Sequence, residues 1–184
     1  LPRARVDEAV RRILTAKLRL GLFKNRFVDV EALPRLLAPR ASLERAWQAF
    51  AGAATLVKNA GGALPLSSGR MPAVFALSSD PGDYYAGRAF ASEVVKRCPG
   101  APVVYADGDT GWDALIVGLA EAQAKAEVGV FALFSRLGAG KGTVDLEPKH
   151  IALLQKWIAA GKPAVVVSFG SPYFLRHFPE TAAY

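Results

Sequence analysis

Val128-Gly129-Val130-Phe131-Ala132-Leu133-Phe134 carries no polar side chain at all, and that uniformity decides the fold. A strand with one wet face alternates apolar and polar residues, whereas a strand covered on both faces is apolar throughout. Working outward, Ala73-Val74-Phe75-Ala76-Leu77, the run 102–106 and the run 164–169 have the same character. Between them lie helical patterns over 84–96, 112–125 and 147–160. Strand–helix alternation of this kind requires parallel strands with crossover helices, and the crossovers are right-handed. The expected fold is therefore α/β: an open, mostly parallel sheet in an α/β/α sandwich of flavodoxin-like type, with four or five strands.

Upstream the pattern changes. Val6, Val10, Ile13, Leu14 and Leu18 recur at the helical period, with Arg11, Arg12, Lys17 and Arg19 off that stripe. Asp7 and Glu8 are placed in the first turn and basic residues in the last, as the helix dipole favours. Gly21 is suited to end the helix, since glycine tolerates positive φ. A linker containing Pro34 and Pro39 follows, and Ser42 is a plausible N-cap for a helix with Leu43, Ala46, Trp47, Phe50 and Ala51. Thr55–Val57 is a short strand candidate, Gly61-Gly62 a turn, and Ser171-Pro172 the start of a last helical turn through Phe178. The domain reading is a helix and linker over 1–41 and a sandwich over 42–184, which stops where a further strand could begin. The first residues are Leu1-Pro2, with no initiating Met, so the chain is expected to be part of a longer product.

Composition narrows the function classes. The chain has 184 residues, 52% of them hydrophobic, and a net charge of +7. Residues 1–45 hold 11 basic and 5 acidic side chains, and the remainder 12 and 11, so the basic excess belongs to the leader. Aromatic stacking platforms are not interleaved with those cations, which argues against nucleic acid as a partner. A solvated helix face, with arginines shaped for a packing neighbour, is the preferred account. No apolar run reaches the ~20 residues of a membrane span. Cys98 is the only cysteine and His150 and His177 the only histidines, which excludes a disulfide within this chain and cysteine- or histidine-rich metal sites and leaves the compartment open.

Chemistry-bearing motifs are few. Gly138-Ala139-Gly140-Lys141-Gly142-Thr143 imitates a phosphate loop, but Ser135 replaces the first glycine and Val144 onward reads as extended chain. A mobile Gly-rich connection is the expectation. Ser168-Phe169-Gly170-Ser171 lacks the nucleophile elbow G-x-S-x-G. His177, between Arg176 and Phe178, shows no carboxylate partner in the sequence and reads as a helix-end histidine rather than a base. Asp107 and Asp109 would accept sugar hydroxyls or hold a cation, or simply form a turn, the favoured reading. Tyr84-Tyr85 would stack on a sugar or cover the sheet, and the second is favoured. No cofactor and no metal are expected.

In this order and spacing the motifs resemble glycoside hydrolase family 3 across essentially the whole chain. Val6-Asp7-Glu8-Ala9-Val10-Arg11-Arg12-Ile13-Leu14, Lys17 and Leu20-Gly21-Leu22-Phe23 look like the segment that closes that family's catalytic (β/α)8 barrel. The helix with Ala46, Ala49 and Ala53, then Leu56-Val57-Lys58-Asn59 and Leu64-Pro65-Leu66, resembles the start of its second, α/β/α domain. Gly161-Lys162-Pro163-Ala164-Val165-Val166-Val167-Ser168-Phe169-Gly170-Ser171-Pro172-Tyr173 is similar to that domain in the two-domain β-N-acetylhexosaminidases of bacteria. The resemblance implies a retaining glycosidase acting on terminal β-N-acetylglucosamine or β-glucoside bonds, with the barrel as partner and the carbohydrate reached through the parent enzyme. The barrel's nucleophilic Asp and its His–Asp acid/base motif do not occur in this chain. None of Glu93, Glu121, Glu127 and Glu147 matches the acid/base Glu of the β-glucosidase branch, so no catalytic residue carries over. Arg136 and Lys141, in the Gly-rich loop, are the candidate substrate-rim residues. The alternative is a stand-alone small-ligand-binding module.

Overall fold

A computed structural model describes residues 2–37, 39–67, 69–136 and 145–184. The chain divides into two compact units, Leu1–Thr55 and Leu56–Tyr184.

The first unit holds helices α1 (Arg3–Arg19), α2 (Leu33–Leu36) and α3 (Arg40–Ala53). α1 begins earlier than the position of Asp7 and Glu8 suggests, so both acids lie beyond the first turn, where Asp7 pairs with Arg3 and Glu8 with Arg5 and Arg12. Its C-terminus is a Schellman motif. Gly21 takes φ 71° and donates to Leu18 O, while Leu22 N–H donates to Lys17 O at 3.1 Å, satisfying carbonyls that the helix end orphans. Ser42 is not the N-cap of α3; the helix starts at Arg40 behind Pro39, whose fixed φ sets the chain for the first turn. None of the described residues of this unit is buried. Val6, Val10, Ile13, Leu14 and Leu18 remain 46–67% exposed.

The second unit is the sandwich. Strands β1 (Pro72–Ser78), β2 (Val103–Ala106), β3 (Val128–Phe134) and β4 (Ala164–Ser168) form one sheet in the order β2-β1-β3-β4, every pair parallel. This is the start of the flavodoxin-like 2-1-3-4-5 order, with its reversal between β1 and β3. The crossovers carry helices α4 (Arg88–Arg97), α5 (Trp112–Lys125) and α6 (Pro148–Ala159). On one face, Ala73, Phe75, Leu77, Phe131 and Leu133 pack with Leu115 and Leu119 of α5 and Leu153, Leu154 and Trp157 of α6. Phe75 stacks on Phe131 at 4.5 Å, and Trp157 meets both rings edge-on. On the other face, Val128, Val130 and Val165 meet Phe90 of α4 and Leu64 and Leu66 of the segment before β1.

That segment explains the 56–66 motif. Asn59 grips Leu64 from both sides, its Nδ2 donating to Leu64 O and its Oδ1 accepting from Leu64 N–H, each at 2.9 Å. The held loop delivers Leu64 and Leu66 to the sheet. Residues 55–57 are not a strand of their own. Instead Val57 and Lys58 N–H donate to Tyr184 O, Asn59 bridges Ala183 antiparallel, and Ala183 lies parallel beside Val165 of β4. α4 also starts later than its pattern suggests. Gly87 interrupts at φ 74° and seats so close to β1 that a Cβ there would stand 2.5 Å from Ala76 Cβ.

Candidate functional site

Ligands of open α/β sheets bind outside the carboxyl ends of the strands, at the point where strand order reverses. Here that point is the β1/β3 junction. Ser78 faces Phe134 in register, and Ser79 N–H donates to Phe134 O at 3.0 Å before the chains diverge. Arg136 projects from the end of β3 and lies 3.3 Å from Asp83 and 4.0 Å from Asp80, both in the turn after β1. The Asp83 side chain is only 9% exposed, and Ser78 Oγ donates to its Oδ2 at 3.0 Å. A carboxylate so covered requires partners, and Arg136 is one of them. Its guanidinium, 72% exposed, is thus committed to holding the 80–83 turn rather than free for an acidic ligand. Lys141 and the phosphate-loop lookalike lie outside the described residues.

Beside this junction a cleft of about 450 Å³ opens at the ends of β1 and β2. Tyr84, Arg88, Tyr105, Asp107, Asp109 and Thr110 form much of its wall. The Arg88 guanidinium lies over the Tyr105 ring at 4.6 Å and the Tyr84 ring at 5.8 Å. Tyr84 and Tyr85 are 73% and 86% exposed, so they do not cover the sheet as favoured from the sequence. Asp107 is a turn residue: its Oδ1 accepts from Thr110 Oγ1 at 2.8 Å and from the N–H groups of Asp109 and Thr110 at 3.0 Å. These bonds, the Thr110 hydroxyl foremost, hold its carboxyl below the usual aspartate range against the opposing effect of burial. Gly111 is the N-cap of α5.

A third group lies between the start of α6 and the 3₁₀ turn Pro172–His177, whose Ser171 cap accepts from Tyr173 N–H. His177 does have a carboxylate partner. Its Nε2 is 2.8 Å from Asp145 Oδ1, and Arg176 binds the other oxygen. Burial works to raise the Asp145 carboxyl, but hydrogen bonds from His177, Leu146 N–H and Arg176 outweigh it and hold it low. A separation of 32 positions hid this pair from sequence reasoning. Among the described residues, no group of three or more His, Cys, Asp or Glu stands placed to hold a metal ion. No helix among them is long and apolar enough to cross a membrane.

No protein-family model matches the chain, and no curated protein does. Solved structures do. The fold is similar to a β-glucosidase from Listeria innocua, solved in complex with gluconolactone, at TM-score 0.72 and 24% identity over 100% of this chain and 28% of that one. It is also similar to the β-glucoside phosphorylase BglX, at TM-score 0.61 and 21% identity over 100% of this chain and 33% of that one. The chain therefore spans about a third of the length of these solved structures.

Proposed function

We propose that this chain is the C-terminal part of a glycoside hydrolase family 3 enzyme, with residues 1–41 closing a (β/α)8 barrel and leading into the sandwich over 42–184. The observation that carries the reading is the match of this whole chain to a fraction of a β-glucosidase. The exposed apolar stripe of α1 supports it, because an amphipathic helix with an uncovered face is built for a neighbour. The parent enzyme would hydrolyse terminal β-N-acetylglucosamine or β-glucoside bonds with retention.

Retention needs two catalytic groups set about 5 Å apart across the scissile bond. This chain offers no matching carboxylate, so its role is to brace the barrel or to wall its sugar site, with Arg136 and Lys141 at the rim. Arg136 would act there by fixing the 80–83 turn and offering its remaining donors to sugar hydroxyls.

Two measurements test the reading. The chain alone turns over neither aryl β-glucosides nor aryl β-N-acetylglucosaminides above background, whereas the polypeptide extended through the upstream barrel does so with retained anomeric configuration. Turnover by residues 1–184, abolished by one substitution in them, overturns it. In the extended enzyme, Arg136→Ala and Lys141→Ala raise KM several-fold with little change in kcat, and unchanged kinetics remove both residues from the rim. The cleft at the ends of β1 and β2 favours one second reading, a small-ligand-binding module. A ligand-induced rise in Tm for the chain alone would support it.

A further inference from the structure

The chain's other histidine sits in an environment unlike that of His177. His150 is at the start of α6 and 1% exposed, and among the described residues neither Nδ1 nor Nε2 makes a hydrogen bond of good geometry. Most buried imidazoles spend at least one nitrogen on a neighbour. Next to it in sequence, Lys149 staples α6 to the cleft wall, with Nζ donating to Gly108 O at 2.6 Å and Thr110 O at 2.7 Å. Those two carbonyls belong to the turn that Asp107 organises.

We infer that His150 is an acid-triggered release for the cleft wall: neutral, it is accommodated in its buried place beside the 107–110 turn, but protonated it carries a charge that burial and Lys149 oppose more than Asp107 favours it, and the turn and first turn of α6 open to water. The charged groups that act on the ring are Lys149, on its own helix, and Asp107, on the turn packed against it. Lys149 repels a second cation. Asp107 favours one, through its backbone and its carboxylate charge, but less than burial and Lys149 oppose it. Burial is the largest influence, followed by Lys149, and together they push the imidazole from its ordinary 6.5 down to about 4.

The sign follows from linkage. An opened His150 binds its proton near pH 6.5, whereas the closed form resists until about pH 4. Closure is therefore fully supported above the first value and weakens as pH falls between the two. Each unit in that window raises the opening equilibrium by up to about tenfold through uptake of one proton. Asp107, held below its usual range, keeps its charge and its turn through this window.

The experiment is backbone hydrogen exchange at Thr110 and Ile151 in the full chain between pH 7 and 4.5, corrected for intrinsic exchange. In the wild type, opening grows up to about tenfold per unit below pH 6.5, and in His150→Leu it is flat, while His177→Gln keeps the wild-type slope. Equal slopes in the wild type and His150→Leu, or a flat wild type, overturn the inference. Should His150→Leu not fold, the His150 ring titration in the wild-type NMR spectrum decides. A midpoint near 4 supports the inference, and one in the ordinary histidine range overturns it.

Discussion

Gly87 shows at the scale of one residue what a sequence withholds. The pattern over 84–96 reads as a single helix because its aromatic and apolar residues suit the helical period. The break at Gly87 arises from tertiary structure: α4 approaches β1 there so closely that a Cβ would meet Ala76 Cβ at 2.5 Å and the Phe134 ring at 2.9 Å, at φ 74°. Gly87→Ala combines a disfavoured dihedral with overpacking and should cost about 2–4 kcal/mol. Urea unfolding will show it as a lower midpoint at unchanged m. With α4 starting only at Arg88, Tyr84 lies in the cleft wall and Tyr85 is exposed, whereas a continuous helix would have laid both on the sheet. Asp107 was legible as a turn because an Asx turn is written within four residues. The Asp145–His177 pair was not, because only the fold brings position 145 to position 177.

Elements were more legible than residues. The strands were found to within a residue or two because burial on both faces leaves an unbroken apolar run, a signal that depends on no neighbour's identity. Helix ends were less so: Pro39, not Ser42, opens α3, and α4 begins at Arg88 behind Gly87 rather than at 84. The pairing of α6's leading residues with the 3₁₀ turn rests on Asp145 and is electrostatic, so it responds to pH. A carboxyl held low stabilises the folded state while ionised, and the contribution disappears as pH falls through its folded value. Asp145→Asn should therefore destabilise the protein at pH 7 and make no difference once the wild-type carboxyl is protonated, below the usual aspartate range. Unfolding midpoints of the two proteins across pH 2–7 will converge at the acid end.

At the scale of the whole molecule, the two units differ in what holds them. The sandwich buries its aromatic core, while no described residue of Leu1–Thr55 is buried. Backbone that buries nothing opens at little cost in free energy. Limited proteolysis should thus cut within residues 1–55 long before it cuts within 56–184, and mass spectrometry of early fragments will locate the sites. The sequence announced this contrast through its helical stripe; it could not show that residues 57–60 are ordered by residues 182–184 rather than by each other. Lys58 also donates to Pro179 O, across 121 positions. That latch has a kinetic meaning. Contacts between residues so far apart require closure of a long loop, and they reward the chain only after the strands between them have assembled. The β1–β3 centre of the sheet can form while 57–60 still waits for its partner, so the first segment of the sandwich to leave the preceding unit is the last to find its place.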